Sequence, residues 1–304
     1  MNVFMLTGMQ IAVIGGDARQ LEIIRKLTEL DAKISLIGFE QLDHAFTGAV
    51  KEKIDEVDFT NMDAFILPVA GTNLEGYVET IFSNEKVLLT EEILSKTPEH
   101  CTVYSGISNA YLNGITEKAN RNLVKLFERD DVAIYNSIPT VEGTIMMAIQ
   151  HTDFTIHGSN VVVLGLGRCG MSVARTFHVL GAKVKVGARK NEHLARITEM
   201  ALTPFHLNDL KNKVHDTDIL INTIPYPIVS AAVISKMPAH TLIIDIASKP
   251  GGTDFRYAEK RGIKALLAPS LPGIVAPKTA GQILADILAQ LFLEDLALRK
   301  ENSK

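Results

Sequence analysis

The strongest fold signal in this 304-residue chain is the stretch Val161-Val-Val-Leu-Gly-Leu-Gly-Arg-Cys-Gly-Met-Ser-Val-Ala-Arg175. Its four leading apolar residues predict a buried parallel strand, and the glycines of a GxGxxG pattern follow at once. A helical pattern then continues to Leu180, and a second strand is predicted over 183–186. This order of strand, glycine turn, helix and strand is the context in which GxGxxG indicates a dinucleotide-binding unit.

Each glycine of the pattern has its own physical role. Gly165 makes the tight turn, Gly167 lets the backbone approach a pyrophosphate, and Gly170 allows close packing of helix and strand. The pyrophosphate is expected on the free N–H groups and the positive dipole end of the helix.

The end of the second strand indicates which dinucleotide is bound. An NAD site usually places Asp or Glu there to bind the ribose 2′-OH. Here the strand ends in Val186-Gly-Ala-Arg-Lys190, so the acid is missing and a basic pair follows instead. Arg189 can offer a planar, charged fork to a 2′-phosphate, although a solvated basic turn is the alternative. The missing acid favours NADP over NAD.

Composition excludes several classes of function. The chain has 31 basic and 35 acidic residues and a net charge of −4, which gives no reason to expect nucleic acid as a partner. No apolar run approaches the ~18–20 residues that cross a membrane, and the first nine residues lack the features of a signal peptide. The two cysteines, Cys101 and Cys169, have no metal-ligand spacing. We therefore expect a reduced, cytoplasmic protein with no metal site.

The chain also contains an internal repeat. Residues 10–33 align without gaps to the central stretch after a shift of 150 positions. Where the second copy has Gly167 and Gly170, the first has Asp17 and Gln20, whose side chains would obstruct a pyrophosphate. The first copy is therefore expected to bind a small polar or anionic molecule at its helix N-terminus, near Arg19. A capped helix with a solvated arginine is an equally good interpretation.

These patterns predict an α/β protein with two Rossmann-like, doubly wound parallel-sheet domains and a cleft between them. The predicted domains are an N-terminal substrate domain at 1–138, a crossing helix at 139–152 and a dinucleotide-binding domain at 153–281. The amphipathic helix at 282–300 could pack back on the first domain.

Local patterns add finer expectations within this scheme. Residues 113–127 are predicted to be helical, Val132–Tyr135 to form a strand, and Thr140 to cap the crossing helix. In open α/β sheets ligands bind beyond the carboxyl ends of the strands. The loops expected at that edge of the first domain are Gly15–Gln20, Pro68–Asn73, Ser105–Asn109 and Ile138–Gly143.

In the second domain, Asn222 and Thr223 follow a predicted strand and could bond the ribose or amide, or could equally form the turn. The predicted cofactor contacts are Gly165, Leu166, Gly167, Arg168, Cys169, Gly170, Ala188, Arg189, Lys190, Asn222, Thr223, Ile224, Pro225, Asp245 and Ser248.

Three segments together resemble the A-subunit family of dipicolinate synthases: His157-Gly-Ser-Asn-Val-Val-Val-Leu-Gly-Leu-Gly-Arg-Cys-Gly170, Gly15-Gly-Asp-Ala-Arg-Gln20 and Pro269-Ser-Leu-Pro-Gly-Ile-Val-Ala-Pro-Lys-Thr-Ala-Gly281. The resemblance covers essentially the whole chain. It implies an NAD(P)-dependent oxidoreductase that makes pyridine-2,6-dicarboxylate from the cyclic lysine-pathway intermediate 4-hydroxytetrahydrodipicolinate. It also implies a partner, the flavoprotein-like B subunit, and a location in the mother cell of a sporulating bacterium.

A cyclic dicarboxylate substrate needs cationic and hydrogen-bonding groups. The candidate substrate-binding residues are Arg19, Ser105, Ser108, Asn109, Thr140 and Lys278, with Arg19 first and Lys278 second. Asp17 and Glu142 are the candidates for a general acid or base, and the sequence shows no residue that must be catalytic.

Other functions are compatible with the sequence. A two-domain dinucleotide-binding protein can be a non-catalytic scaffold or a sensor for a catalytic partner. A dehydrogenase acting on a different cyclic acid, and a homo-oligomer, are also compatible with the sequence.

Overall fold

The computed structural model describes residues 5–302, so the first four and last two residues of the chain lie outside the described residues. The chain divides into two compact units. The first unit is Met1–Val132 with Pro277–Lys304, and the second unit is Ala133–Ala276.

The strands, in chain order, are β1 (Gln10–Ile14), β2 (Lys33–Ile37), β3 (Ala49–Lys51), β4 (Ala64–Ile66), β5 (Tyr77–Val78), β6 (Val87–Leu88), β7 (Thr102–Ser105), β8 (Asn122–Lys125), β9 (Asn160–Leu164), β10 (Lys183–Ala188), β11 (Thr203–His206), β12 (Ile219–Asn222), β13 (Leu242–Asp245) and β14 (Lys264–Leu267). The helices are α1 (Ala18–Glu29), α2 (Glu91–Ser95), α3 (Ala110–Lys118), α4 (Asp130–His151), α5 (Arg168–Val179), α6 (Asn191–Glu199), α7 (Leu210–Lys213), α8 (Ala231–Ile234), α9 (Phe255–Lys260), α10 (Leu271–Val275) and α11 (Pro277–Asn302).

Each unit is built on a parallel six-stranded sheet. The order is β3-β2-β1-β4-β7-β8 in the first unit and β11-β10-β9-β12-β13-β14 in the second, so both follow the same doubly wound scheme. The central strand β9 is an apolar run whose residues Val161 to Leu164 are fully buried, as expected when helices cover both faces of a parallel sheet. The predicted fold class of two Rossmann-like α/β units is confirmed.

The structural repeat extends to a polar contact at the amino edge of each sheet. In the first unit, Asp63 Oδ2 accepts a hydrogen bond from the backbone N–H of Gln10 at 2.9 Å, and its Oδ1 lies 3.0 Å from His100 Nε2. In the second unit, Asp218 Oδ2 accepts from the N–H of Asn160 at 2.7 Å, and its Oδ1 lies 2.9 Å from His240 Nε2. Each carboxylate therefore joins the start of the central strand to a more distant loop. In the first unit it joins β1 to the loop before β7, and in the second it joins β9 to the loop before β13.

We expect Asp218→Ala to lower the free energy of unfolding by about 1–2 kcal/mol, because the partly buried N–H of Asn160 loses its acceptor. Urea denaturation followed by circular dichroism measures the effect. The exposed Asp153, changed to Ala, is the matched control in the same unit. An equal shift in both variants would contradict a specific role for the Asp218 contact.

Helix α11 packs along α1 within the first unit. Gly281 is required at the contact, because a Cβ there would lie 2.5 Å from the carbonyl oxygen of Arg19. Gln282 Nε2 donates to Glu22 Oε2 at 3.3 Å, and Lys26 Nζ lies 2.9 Å from Asp286. Arg19, Glu22 and Lys26 of α1 thus contact Gly281, Gln282 and Asp286 of α11, in that order. The two helices therefore run parallel and begin at the same end.

Several local expectations are wrong. The predicted helix at 113–127 stops at Lys118 and is followed by β8, the last strand of the first sheet. The predicted strand Val132–Tyr135 belongs to α4, which begins at Asp130 and includes the predicted loop Ile138–Gly143. A four-residue apolar run does not by itself distinguish a strand from part of a helix.

Candidate functional site

The glycine turn of the second unit connects β9 to α5. At two of its three glycines, close packing leaves no room for a side chain. Gly165 has a φ of +96°, and a Cβ there would lie 2.6 Å from Thr223 Oγ1. A Cβ on Gly170 would lie 2.3 Å from the carbonyl oxygen of Gly165. Both positions therefore require glycine for the turn and helix to pack.

Gly167 differs from the other two glycines. Its φ of −81° suits any L residue, and apart from its two chain neighbours no residue has an atom within 4 Å of the position of a Cβ. It is also the N-cap of α5, and no side chain caps that helix. An uncapped helix N-terminus beside open space fits a bound pyrophosphate, which would take the place of a cap.

The equivalent turn of the first unit is filled by side chains. Asp17 caps α1 by accepting from the N–H of Arg19 at 3.0 Å, while Gln20 Oε1 accepts from the N–H of Asp17 at 3.1 Å. Gln20 is buried, and its amide carbon lies 2.4 Å from where a Cβ on Gly16 would be. The first helix is therefore capped and its glycine turn is covered, which supports a single dinucleotide site.

The basic pair lies at the carboxyl edge of the second sheet, directly after β10. Arg189 and Lys190 are both exposed. Lys190 Nζ lies 3.6 Å from Glu192, whereas Arg189 has no ion-pair partner within residues 5–302. An unpaired, exposed guanidinium is compatible both with a phosphate fork and with a solvated turn.

The register of the sheet also brings His206 to this edge. It is the last residue of β11 and pairs with Ala188, the residue before Arg189. His206 is not among the residues predicted from the sequence, because an isolated histidine some 17 positions from Arg189 carries no local signal.

The predicted cofactor contacts after β12 form their own turn. Asn222 is fully buried, with Nδ2 donating to the carbonyl oxygen of Ile224 at 3.0 Å and Oδ1 accepting from the same residue's N–H at 3.1 Å. Thr223 Oγ1 donates to the carbonyl oxygen of Leu164 at 2.8 Å. Pro225 is exposed beyond them. The turn-forming alternative accounts for the contacts of both polar side chains, and their predicted contact with a cofactor stays a prediction.

Asp245, at the end of β13, organises the loop that follows it. It is fully buried and accepts hydrogen bonds from the N–H of Ala247 at 3.1 Å, the N–H of Gly252 at 2.8 Å and Thr253 Oγ1 at 2.7 Å. Ser248, within the same loop, is exposed. The carboxylate shapes the loop that presents Ser248 at the carboxyl edge.

Cys169 is partly buried inside the glycine turn, and burial raises the pKa of its thiol to about 11. The thiolate is therefore scarce at neutral pH, which disfavours a role as nucleophile, and the predicted contact of Cys169 with the cofactor stays a prediction. Beside it, Leu166 is buried in the core and Arg168 is exposed. Within residues 5–302, no cluster of His, Cys, Asp or Glu is arranged to hold a metal ion, and no helix has the length and apolarity to span a bilayer.

In the first unit, Arg19 and Asp17 form an ion pair at the start of α1. Arg19 Nη2 lies 2.6 Å from Asp17 Oδ2, and its Nε lies 2.9 Å from Oδ1. The Arg19 side chain is only 11% exposed, so the alternative of a solvated arginine is wrong, although the helix cap is present. Burial raises the pKa of Asp17, but the hydrogen bonds and charge of Arg19 outweigh it and lower the pKa. The lowered pKa keeps Asp17 ionised at neutral pH, and its role as a general acid or base stays a prediction.

Lys278 lies in the first turn of α11 and is exposed. Because α11 contacts the backbone of Arg19 through Gly281, one turn further on, the structure brings the two leading substrate candidates to the same end of a parallel helix pair. The two helix N-termini and both cations favour an anionic ligand there.

Ser105 and Asn109 hold neighbouring loops together. Ser105 Oγ donates to the carbonyl oxygen of Ile107 at 2.7 Å, and Asn109 Nδ2 donates to that of Thr72 at 2.5 Å. Asn109 Oδ1 also caps α3. Ser108, between them, is partly exposed. Ser105 and Asn109 therefore contribute to the shape of the carboxyl edge through their loop contacts.

A cavity of about 330 Å³ lies at the carboxyl end of β4, next to the glycine turn of β1. Its lining residues are Ala70, Gly71, Thr72, Asn73, Tyr77, Val78 and Glu79. The Gly15 turn touches this lining, since a Cβ on Gly15 would lie 2.7 Å from the carbonyl oxygen of Glu79. In the sheet, β1 lies between β2 and β4, so the strand order reverses direction there. The cavity lies beside this switch point, which is where such folds bind ligands.

The remaining candidates, Thr140 and Glu142, lie on α4 in the second unit. Thr140 is inside the helix, where its hydroxyl donates to the carbonyl oxygen of Asn136 at 2.7 Å, so the predicted cap at Thr140 is wrong. Glu142 is exposed.

Two family models match the chain. Residues 10–127 match the N-terminal domain of the dipicolinate synthase A subunit, and residues 134–302 match the C-terminal domain of alanine dehydrogenase/PNT. Over 290 residues the chain is 69% identical to the dipicolinate synthase A subunit of Bacillus subtilis (strain 168), an alignment that covers 95% of this chain and 98% of that protein.

Solved structures give the same picture. The crystal structure of the dipicolinate synthase A subunit from Bacillus halodurans is similar with a TM-score of 0.93 and 68% identity, covering 95% of this chain and 99% of that one. That of the dipicolinate synthase A chain from Bacillus subtilis is similar with a TM-score of 0.94 and 68% identity, covering 97% and 99%.

Proposed function

The chain belongs to the A-subunit family of dipicolinate synthases, and from that membership we propose that it is the NADP-dependent dehydrogenase of dipicolinate formation. The reaction is the oxidation of a dihydrodipicolinate, formed when 4-hydroxytetrahydrodipicolinate loses water, to pyridine-2,6-dicarboxylate. Its dehydrogenase-family domain makes the chain an oxidoreductase. The observation that carries the proposal is the uncapped, open N-terminus of α5 at Gly167.

The main task of the protein in this reaction is to align the substrate ring with the dinucleotide. Bound NADP supplies the hydride acceptor: the substrate loses a hydride from carbon and one proton, which leaves the aromatic ring and NADPH. Because aromatisation supplies much of the driving force, the residues of the chain mainly have to hold the ring and exclude other orientations.

For the substrate carboxylates we propose Arg19 and Lys278 as the cationic contacts. Arg19 already holds the carboxylate of Asp17, so an arriving carboxylate either shares the guanidinium or replaces Asp17 on part of it. Lys278, being exposed and without an ion-pair partner in the described part of the chain, meets no such competition. Asp17, ionised, can accept a proton but acts first by positioning Arg19. Glu142 remains the other candidate base.

The proposal is tested with the purified full chain, NADP and freshly prepared 4-hydroxytetrahydrodipicolinate. We expect NADPH and pyridine-2,6-dicarboxylate to form in equal amounts, without a second protein. Tight NADP binding with no turnover until the B subunit is added would instead support the alternative of a non-catalytic, dinucleotide-binding scaffold. Absence of binding to either dinucleotide would overturn the proposal.

Family membership alone suggests the setting of the reaction. As the partner we propose the flavoprotein-like B subunit of dipicolinate synthase, and as the location the cytoplasm of the mother cell of a sporulating bacterium. The reaction would branch from lysine biosynthesis. A homo-oligomer is compatible with these assignments.

A further inference from the structure

We propose that His206 donates a hydrogen bond from Nε2 to the 2′-phosphate of NADP, and that it acts with Arg189 to select NADP over NAD. The inference rests on the proposed function, since it concerns the same cofactor. It adds a specificity-determining residue that lies outside the glycine turn and outside the basic pair.

The position of His206 follows from the register of two neighbouring strands. β10 and β11 are parallel, and their last residues, Ala188 and His206, are paired. Adjacent strands are ~4.8 Å apart, so Arg189, the next residue after Ala188, leaves the sheet within a few ångströms of His206. Both side chains are at the carboxyl edge, beside the strand end where the ribose of a dinucleotide is normally recognised.

The hydrogen-bonding state of the ring leaves one donor available. His206 Nδ1 accepts a hydrogen bond from the backbone N–H of Asn208 at 3.2 Å, as the cap of a short 3₁₀ turn at Leu207–Asp209. A ring nitrogen that accepts carries no proton, so in the neutral imidazole the proton is on Nε2. Within residues 5–302, Nε2 has no hydrogen-bond partner, and His206 is only partly buried.

The neighbouring carboxylates are already engaged elsewhere. Asp209, in the same 3₁₀ turn, accepts from Asn212 Nδ2 at 2.8 Å and lies 3.3 Å from Lys213 Nζ. Glu192 lies nearest Lys190. Arg189 and His206 therefore each keep an unpaired donor at this edge within the described residues, and a 2′-phosphate could accept from both. NAD lacks that group, so it would gain nothing from either.

Two substitutions of His206 separate its role as the cap of the 3₁₀ turn from its proposed role as a hydrogen-bond donor to the 2′-phosphate. His206→Asn places an oxygen near the position of Nδ1 and keeps a good cap, but it is too short to present a donor at the position of Nε2. His206→Gln reaches the Nε2 position with an amide N–H and loses the cap. A purely structural role predicts the opposite order of effects from a ligand-binding role.

The experiment is calorimetric titration of the full chain with 2′,5′-ADP and with 5′-AMP, two probes that differ only in the 2′-phosphate. We expect His206→Asn to weaken 2′,5′-ADP about tenfold, as for a lost hydrogen bond to a charged group. His206→Gln should stay within about threefold of the unsubstituted chain, and 5′-AMP should be unaffected by both.

The outcomes distinguish this inference from the proposed function. If the unsubstituted chain prefers 2′,5′-ADP and His206→Asn binds it equally well, the role of His206 is wrong while NADP specificity stands. Greater loss in His206→Gln than in His206→Asn would assign the residue to the turn and also overturn the inference. If the unsubstituted chain does not distinguish the two probes, NADP specificity itself fails, and the His206 inference fails with it.

Discussion

Replacing Gly167 by Ala is expected to weaken NADP binding at least about 100-fold while the chain stays folded. The backbone there has an ordinary φ of −81°, and apart from the two chain neighbours no residue has an atom within 4 Å of the new methyl group. The methyl group therefore meets no clash and costs the fold only the poorer N-cap propensity of Ala, but it occupies the space through which the pyrophosphate must approach the N–H groups of α5. Fluorescence or calorimetric titration with NADP measures the loss, and circular dichroism checks the fold.

Two other glycines make the test of Gly167 specific. Gly114→Ala, inside α3 of the first unit, also meets no atom within 4 Å and should leave NADP binding unchanged. Gly170→Ala should lower stability as well as binding, because its methyl group would lie 2.3 Å from the carbonyl oxygen of Gly165. Normal NADP affinity in Gly167→Ala would show that the pyrophosphate does not lie on this turn, and the proposed function would lose the observation that carries it.

Arg189→Ala is expected to weaken NADP about 30- to 100-fold and to change NAD affinity less than threefold, so that the two dinucleotides bind alike. The exposed guanidinium has no ion-pair partner in the described part of the chain and can offer two parallel N–H donors to a phosphate. Arg189→Lys should recover only part of the loss, because an ammonium is a point charge without the fork. Paired titrations with NADP and NAD measure both changes.

The matched control for Arg189 is Arg261→Ala. Arg261 is exposed and belongs to the same unit, but it ends α9 just before β14 begins, at the opposite edge of the sheet. The substitution Arg261→Ala removes one positive charge far from the proposed phosphate site, so NADP affinity should change little. Equal losses in both variants would indicate a general effect of charge, and equal losses for NADP and NAD in Arg189→Ala would support the solvated basic turn.

The fold was largely predictable because its signals are local. A glycine turn between a buried apolar strand and a helix specifies its geometry within about ten residues, and the repeat displaced by 150 positions specifies a second unit of the same kind. The missing acid after β10 is equally local, so the preference for NADP could be proposed from the sequence. Local signals failed at Val132–Tyr135, where a short apolar run belongs to a helix.

The candidate site was less predictable, because it depends on which polar groups find partners far along the chain. Asp245 is a predicted cofactor contact, yet its side chain is fully buried and hydrogen-bonded to its own loop. The carboxylates of Asp63 and Asp218 make equivalent contacts in the two units, yet their histidine partners stand 37 and 22 residues away, so no single shift of the sequence aligns both.

The sequence by itself determined two parallel-sheet units, a single open glycine turn at Gly167 and a basic residue in place of the ribose-binding acid. Only the tertiary structure decided that α11 lies along α1 with Lys278 at the same end as Arg19, and that His206 stands beside the strand end that carries Arg189. The reason is physical. Backbone conformation follows from neighbours within a turn or a strand, whereas side-chain partners are set by sheet register and helix packing, which join residues that the sequence keeps apart.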